Sequence, residues 1–281
     1  MSTTGSMSVA EIAAVARQIR LDVLDMIYRA GSGHLGGSLS CAEILATLYF
    51  GHMRLGPQPG APADACSPDR DRFLLSKGHA APALYSVLSL KGYIPREELA
   101  SLRQLNSRLQ GHPDCKKCPG VDIGAGPLGH GVSVGVGMAL AGRLDGRDYR
   151  VYVLLGDGEL QAGVIWEGAM AAAKFGLDHL IAIVDNDEVQ LDGFVRDIMP
   201  IEPLRDKWAA FGWNVIECDG HSVPDLLVAL GAATAGRGQP TVIIAHTVKG
   251  KGVSFMEHKS VWHGRVPTPA EYEQARAELE G

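Results

Sequence analysis

Apolar side chains recur every three or four residues at the start of the chain. Ile12, Val15, Ala16, Ile19, Val23, Met26 and Ile27 share this spacing, which predicts an amphipathic helix over residues 9–30. Ala30, Gly31, Ser32 and Gly33 end it, and a short helix bearing Ile44, Leu45, Leu48 and Tyr49 follows. Residues 55–70 are rich in Pro, Gly and Ala and predict a surface loop. A helix over residues 80–90 begins just after His79. Pro95, followed by Glu97 and Glu98, marks another helix start with acids near its positive end. Residues 132–142 are small and apolar, the composition of a tightly packed internal helix. The period then changes. Val151, Tyr152, Val153, Leu154 and Leu155 form one unbroken apolar run, and Leu180, Ile181, Ala182, Ile183 and Val184 form another. Runs of that kind are strands buried on both faces. A helix over 203–211, a strand over 213–218, a helix over 223–235 and a strand over 241–245 complete the pattern. Ser222 is placed to cap the helix over 223–235. Strands alternating with helices predict an α/β fold, a doubly wound, mostly parallel sheet with helices on both faces. No internal repeat or low-complexity tract interrupts it.

Each of the two apolar runs ends in acid. Gly156, Asp157 and Gly158 follow the first, and Asp185, Asn186 and Asp187 follow the second. In an open parallel sheet the carboxyl ends of the strands form the ligand crevice. Mg²⁺ prefers oxygen ligands, commonly one or two carboxylates plus phosphate oxygens. Glycines beside Asp157 let the backbone approach a phosphate closely. The constellation predicts a site for a metal-bridged diphosphate; the plainer reading of Asp157 is an acid that only shapes a strand-to-helix turn. Residues 111–131 bear several glycines without periodicity, and ordered loops of that length are usually functional.

The 281 residues suit one large α/β domain, spanning 9–281 after a polar, disordered lead-in at 1–8 that lacks the apolar core of a signal peptide. A net charge of −6 with acids and bases interspersed argues against nucleic acid as a partner. No apolar stretch approaches membrane-spanning length, so no membrane partner is expected. Five cysteines, an odd number, point to a reducing cytoplasm rather than a disulfide framework. Cys115 and Cys118 have half the spacing of a zinc site, but no second pair exists to complete it. Lys249, Gly250, Lys251 and Gly252 lack the spacing of a phosphate loop, and the lysines read as solvated. A plain nucleotide-binding module is disfavoured because no Gly-x-Gly-x-x-Gly follows the first strand.

The run Gly156-Asp157-Gly158-Glu159-Leu160-Gln161, then Trp166-Glu167-Gly168-Ala169-Met170 and the Asp187 region, resembles the thiamine diphosphate motif of transketolases. The likeness extends to Ser32-Gly33-His34-Leu35-Gly36-Gly37-Ser38-Leu39, to Asp71–His79, to Gly111-His112-Pro113, to Gly126-Pro127-Leu128-Gly129-His130-Gly131 and to Trp262-His263-Gly264, in the family's order. The resemblance implies thiamine diphosphate and Mg²⁺ (or Ca²⁺) as cofactors. Asp157, Asp187 and the main-chain carbonyl of Val189 would ligate the metal. Gly126, Pro127, Leu128, Gly156, Gly158, Glu159, His79 and His263 would bind the cofactor, with Leu128 packed on its ring. His34, His79, His112 and His263 would serve proton transfer and sugar binding, and His130 is a further candidate. The implied reaction carries a two-carbon ketol unit from a ketose, expected to be phosphorylated, to an aldose. One-chain members of the family are more than twice as long, so the chain is expected to be the N-terminal half of a split enzyme. A C-terminal subunit would bring the pyrimidine-binding domain, in a heterotetramer inactive without it. Two departures stand out: Asp187 where the family has Asn, and Ala162 where it often has a Glu of the carboxylate network between paired sites. Two other readings are a half of another thiamine diphosphate enzyme and a non-catalytic regulatory homologue.

Overall fold

The structure is a computed structural model that describes residues 7–56 and 67–281. Most of the predicted lead-in and the middle of the predicted 55–70 loop lie outside the described residues. Helix α1 spans Val9–Ala30. Ser8, assigned to the lead-in from sequence, is its N-cap: it forms a reciprocal capping box with Glu11, while Gly31 closes the other end in the left-handed conformation. The predicted short helix is two helices, α2 (Gly36–Ser40) and α3 (Ala42–Thr47), followed by a wider turn over Leu48–His52. Strand β1 is Arg72–Leu75, and α4 is Ala81–Leu90. Next come α5 (His130–Leu144), β2 (Val151–Gly156), α6 (Gly163–Lys174) and β3 (Leu180–Asn186). Two short helices, α7 (Val195–Ile198) and α8 (Leu204–Ala210), lead to β4 (Asn214–Asp219). Helix α9 (Val223–Ala235), β5 (Thr241–His246) and α10 (Pro269–Glu280) finish the chain. Ser222 caps α9 by accepting from the Asp225 amide, as its place in the sequence predicts.

The five strands form one sheet in the order β1-β2-β3-β5-β4, and every neighbouring pair is parallel. Alternation along each strand explains the unbroken apolar runs. Tyr152, Leu154, Ile181, Ile183, Ile243 and Ala245 face the larger core under α1, α3, α4, α9 and α10. Val151, Val153, Leu155, Leu180, Ala182, Val184, Val242 and Ile244 face the second core with α5, α6 and α8. Side chains point alternately to opposite faces, and both faces are covered, so neither position can be polar. Edge strand β4 is only half-buried and carries Asn214, Glu217 and Asp219. Helix α5 departs from its predicted burial. Gly131 and Gly135 bring one side of it against the sheet and Gly142 brings it against Tyr149, while Val134 and Gly137 on the other side are exposed. Among the described residues no helix is long and apolar enough to cross a membrane.

Register fixes the site. Gly156 lies opposite Asp185, and Asn186 lies opposite His246. Asp157 and Asp187 are thus each the first residue beyond adjacent central strands, and Thr247 is the first beyond β5.

Candidate functional site

At the carboxyl ends of β1, β2, β3 and β5 lies a cavity of about 360 Å³. His34, His79, His112, His263, Gly126, Leu128, Gly156, Asp157, Gly158, Glu159, Asp187 and Val189 all line it, so one space collects nearly every site residue expected from sequence. Lys77, Asp185 and Lys249 line it too. Pro127 and His130 are exposed and lie outside the lining. His130 begins α5, and Pro127 carries the chain between the two lining residues Gly126 and Leu128.

Asp157 is buried. Its Oδ1 accepts the Gly158 amide at 2.6 Å, and its Oδ2 accepts the Glu188 amide at 2.5 Å. Glu188 reaches that position only by adopting φ +63°, a left-handed conformation costly for a side-chain-bearing residue. The turn so formed directs the Val189 amide onto Asp187 Oδ1 at 3.0 Å. The Val189 carbonyl and the Asp187 carboxylate then converge on one point, and the Lys249 ammonium occupies it. Lys249 Nζ stands 2.9 Å from Asp187 Oδ2 and 2.6 Å from the Val189 oxygen. Lys249 is only 3% exposed. This corrects the solvated reading of its side chain: the ammonium is a buried partner of two of the three expected metal-ligating groups.

A second buried ion pair lies beside the first. Lys77 bonds Asp185, whose carboxylate also accepts from Ser40 Oγ at 2.6 Å and Thr247 Oγ1 at 2.5 Å. Burial works to raise the Asp185 carboxyl, but Lys77 and the two hydroxyls overcome it and the group titrates below its ordinary range. Burial and the neighbouring Asp187 push Asp157 the other way, up to about 7. Burial also raises Asp187, against the opposing pull of Lys249. Four buried carboxylates, Asp157, Glu159, Asp185 and Asp187, therefore line the cavity with two buried ammoniums. Asp157 is held by two backbone amides and has no cation in contact among the described residues. A desolvated, electron-rich oxygen set of this composition suits a hard divalent cation.

Glu159 is also buried. Its carboxylate accepts from the Gly129 amide at 2.7 Å and the Gly156 amide at 3.0 Å, and it bonds Ser76. It ties the Gly126–Gly129 segment to the ends of β1 and β2. Burial raises its carboxyl as well. A Cβ on Gly126 would meet nothing within 4 Å, and one on Gly156 would come no closer than 3.9 Å to Lys77, so both backbones border open space. Leu128 is 45% exposed and offers an apolar wall to the cavity.

Three histidines form the opposite wall. The rings of His34, His79 and His263 stand 5.0–5.4 Å apart, centroid to centroid. Burial, and then the positive charge of Arg103, lowers His34 to about 4; burial and Lys249 lower His263 to about 3. Burial and Lys77 hold His79 well below its ordinary value, and His112 is lowered by burial and Arg103. Near pH 7 all four are neutral. Among the described residues His34 Nδ1 and His263 Nδ1 are buried without a hydrogen-bond partner, a cost that a bound oxygen or N–H would relieve.

The remaining candidates lie elsewhere. Cys118 is buried and Cys115 is exposed, both as free thiols. Glu167 is exposed on α6. Among the described residues no cluster of three His, Cys, Asp or Glu side chains surrounds a metal position; the candidate cation point uses two carboxylates and a carbonyl.

A parallel α/β sheet with buried acids and neutral histidines at its carboxyl edge is the architecture of a cofactor-binding enzyme domain. Residues 12–280 match the family described as transketolase, thiamine diphosphate binding domain, and the chain belongs to the transketolase family. It is 44% identical over 260 residues to an apulose-4-phosphate transketolase subunit from Phocaeicola vulgatus, covering 92% of this chain and 90% of that protein. It is 46% identical over 266 residues to the 6-deoxy-6-sulfo-D-fructose transketolase subunit SqwG of a Clostridium species, covering 94% of each. The crystal structure of transketolase from Campylobacter jejuni superposes with a TM-score of 0.90 at 33% identity, over 98% of this chain and 43% of that one. The chain thus spans nearly all of the relatives named as subunits and about two-fifths of that longer transketolase.

Proposed function

We propose that this chain is the thiamine-diphosphate-binding subunit of a two-subunit transketolase, which moves a two-carbon ketol unit from a ketose to an aldose. The observation that carries this reading is similarity over at least 90% of the length of two relatives named as single transketolase subunits, combined with the cavity at the sheet edge. The assembly has two copies of each chain, works in the cytoplasm, and uses Mg²⁺ or Ca²⁺. Both relatives are named for sugars bearing an anionic group, a phosphate in one and a sulfonate in the other. The ketose taken here is therefore one that carries an anionic group.

Asp157, Asp187 and the Val189 carbonyl would hold the metal, and Gly126, Leu128, Gly156, Gly158, His79 and His263 would hold the cofactor. The residues fit that load: the Asp187 carboxylate and the Val189 carbonyl converge on the Lys249 ammonium, which stands in as their cation, the desolvated Asp157 carboxylate lines the same cavity, and Gly126 and Gly156 leave the approach open. Thiamine diphosphate, when bound, supplies the nucleophile and the electron sink for cleaving a carbon–carbon bond beside a carbonyl. The Asp187 carboxylate and the Val189 carbonyl would hold a metal in place of the Lys249 ammonium, neutralising the acids that a diphosphate otherwise faces. Leu128 offers an apolar surface to a ring. His34, His79, His112 and His263, neutral because of burial, donate or accept hydrogen bonds at sugar hydroxyls and at the carbonyl oxygen, and can take up a proton there. Three clustered imidazoles also displace water from the reacting centre. Glu159 keeps the two glycine-bearing segments in register through its three bonds.

Activity tests this directly. The chain alone is expected to give no ketol transfer, and mixing it with the companion subunit, Mg²⁺ and thiamine diphosphate is expected to give turnover. Full activity of the chain by itself would refute the two-subunit reading.

A further inference from the structure

The structure holds a hydrogen-bonded chain that ends one residue from Lys249 and that ketol transfer does not itself require. Arg20 on α1 grips Glu43 on α3 with both terminal nitrogens, each at 2.5 Å, and Arg20 Nε bonds the Leu39 carbonyl at 3.2 Å. Glu43 Oε2 stands 2.9 Å from His221 Nδ1, in the turn between β4 and α9. His221 Nε2 stands 2.9 Å from the backbone nitrogen of Val248. A backbone N–H only donates, so Nε2 accepts, Nδ1 carries the ring proton, and that proton is given to Glu43. The tautomer is thus set by both neighbours.

The same turn is pressed against the segment after β5. The Gly220 amide bonds the His246 carbonyl at 2.8 Å, and a Cβ on Gly220 would lie 2.4 Å from Thr247 Cγ2, so no larger residue fits. On the far side of Lys249 the Gly250 amide bonds the Gly36 carbonyl at 3.1 Å. The His258 amide donates to the Lys249 carbonyl at 3.0 Å. The backbone around Lys249 is held by the Gly250–Gly36 and Lys249–His258 bonds, and among these described contacts the Val248–His221 bond is the one whose acceptor is a side chain.

We propose that His221 is a positioning residue for the cation site: through the Val248 amide it sets where the Lys249 ammonium stands against Asp187 and Val189. Arg20 and Glu43 serve to hold the imidazole in the accepting orientation. The inference rests on the assignment of that point as the metal and diphosphate site, but the geometry of the relay is independent of it.

Glutamine and asparagine separate the two ends of the ring. In H221Q the side-chain oxygen reaches the place of Nε2 and keeps an acceptor for Val248. In H221N the amide reaches only the place of Nδ1 and keeps the Glu43 contact. Two quantities are measured on the complex with the companion subunit: hydrogen exchange of the Val248 amide, and the Kd for thiamine diphosphate at fixed Mg²⁺. H221N is expected to exchange faster at Val248 and to weaken cofactor binding about tenfold, the effect of ~1.4 kcal/mol. H221Q is expected to match the wild type in both. Rescue by asparagine rather than glutamine, or no change in either variant, overturns the proposal. If H221N does not fold, H221L, which offers no acceptor, takes its place: loss of amide protection and affinity in H221L but not in H221Q upholds the proposal, and equal behaviour of the two variants overturns it. A wild-type complex that binds no thiamine diphosphate refutes the functional reading, and the exchange result then still decides the role of His221.

Discussion

Replacing Lys249 by methionine separates an ammonium that stands in a cation site from one that merely packs there. The side chain is 4% exposed, as is that of Asp187, so solvent screens the pair little. Lys249→Met leaves a buried carboxylate and the Val189 carbonyl without their shared donor. Breaking a buried pair from one side costs about 3–5 kcal/mol. The lower end applies, because Asp187, already raised by burial, can take up a proton once the ammonium has gone. For a chain of this size ~3 kcal/mol lowers Tm by about 5 °C. Mg²⁺ should recover part of that loss. A metal that takes this point would have to displace the ammonium in the wild type, whereas in the variant it would compete only with a proton on Asp187. If removing the competitor tightens Mg²⁺ binding about tenfold, the metal contributes up to ~1.4 kcal/mol more stability to the variant, or about 2 °C more Tm. The assay is thermal unfolding of the apo protein at several Mg²⁺ concentrations, with no thiamine diphosphate present. A variant as stable as the wild type without metal, or an equal rise in Tm with Mg²⁺ in both proteins, would refute the placement of Lys249 in the cation site.

Two further outcomes follow from the same geometry. Asp187→Asn keeps an oxygen at the ligating point but removes the ion pair with Lys249, so cofactor affinity is expected to change along with its dependence on Mg²⁺. Calorimetric titration at several metal concentrations checks this, and an unchanged affinity and metal dependence would remove Asp187 from the ligand set. His34 and His263 have folded values lowered to about 4 and about 3. Their contribution to stability is therefore complete above the unfolded value of about 6.5 and is lost as pH falls from there towards the folded values. NMR titration is expected to find both rings neutral at pH 5.5; midpoints near 6.5 would show that the imidazoles are not desolvated as the structure has them.

The sheet's central strands were legible because both of their faces are buried, which leaves an apolar run that no polar residue interrupts. β1 was not, although it completes the sheet. It is four residues long, begins with Arg72, and pairs only with β2 at an edge, so it shows neither the length nor the pattern of a buried strand. The small residues of α5 predicted close packing and delivered it on one side only. Their spacing says that a backbone can be approached, not how many faces are covered. In the site, Asp157 and Asp187 were legible as acids just beyond two predicted strands, and the histidines as imidazoles beside glycines in predicted loops. Lys249 and His221 were not. Their partners lie 62 and 178 residues away in sequence, at Asp187 and Glu43, and nothing in local periodicity links such positions. A lysine four residues beyond a predicted strand, with an acid just beyond another, is a signal that could have pointed to Lys249.

The most direct test of a metal-anchored cofactor on this chain is a calorimetric titration of the two-subunit complex with thiamine diphosphate, with and without Mg²⁺, for the wild type and for Asp157→Ala. The expected result is one cofactor per copy of this chain, binding that requires the metal, and a loss of metal-dependent affinity of at least about a hundredfold (~2.7 kcal/mol) in the variant. Wild-type binding that is indifferent to Mg²⁺, or an Asp157→Ala complex that binds as tightly as the wild type, would contradict it.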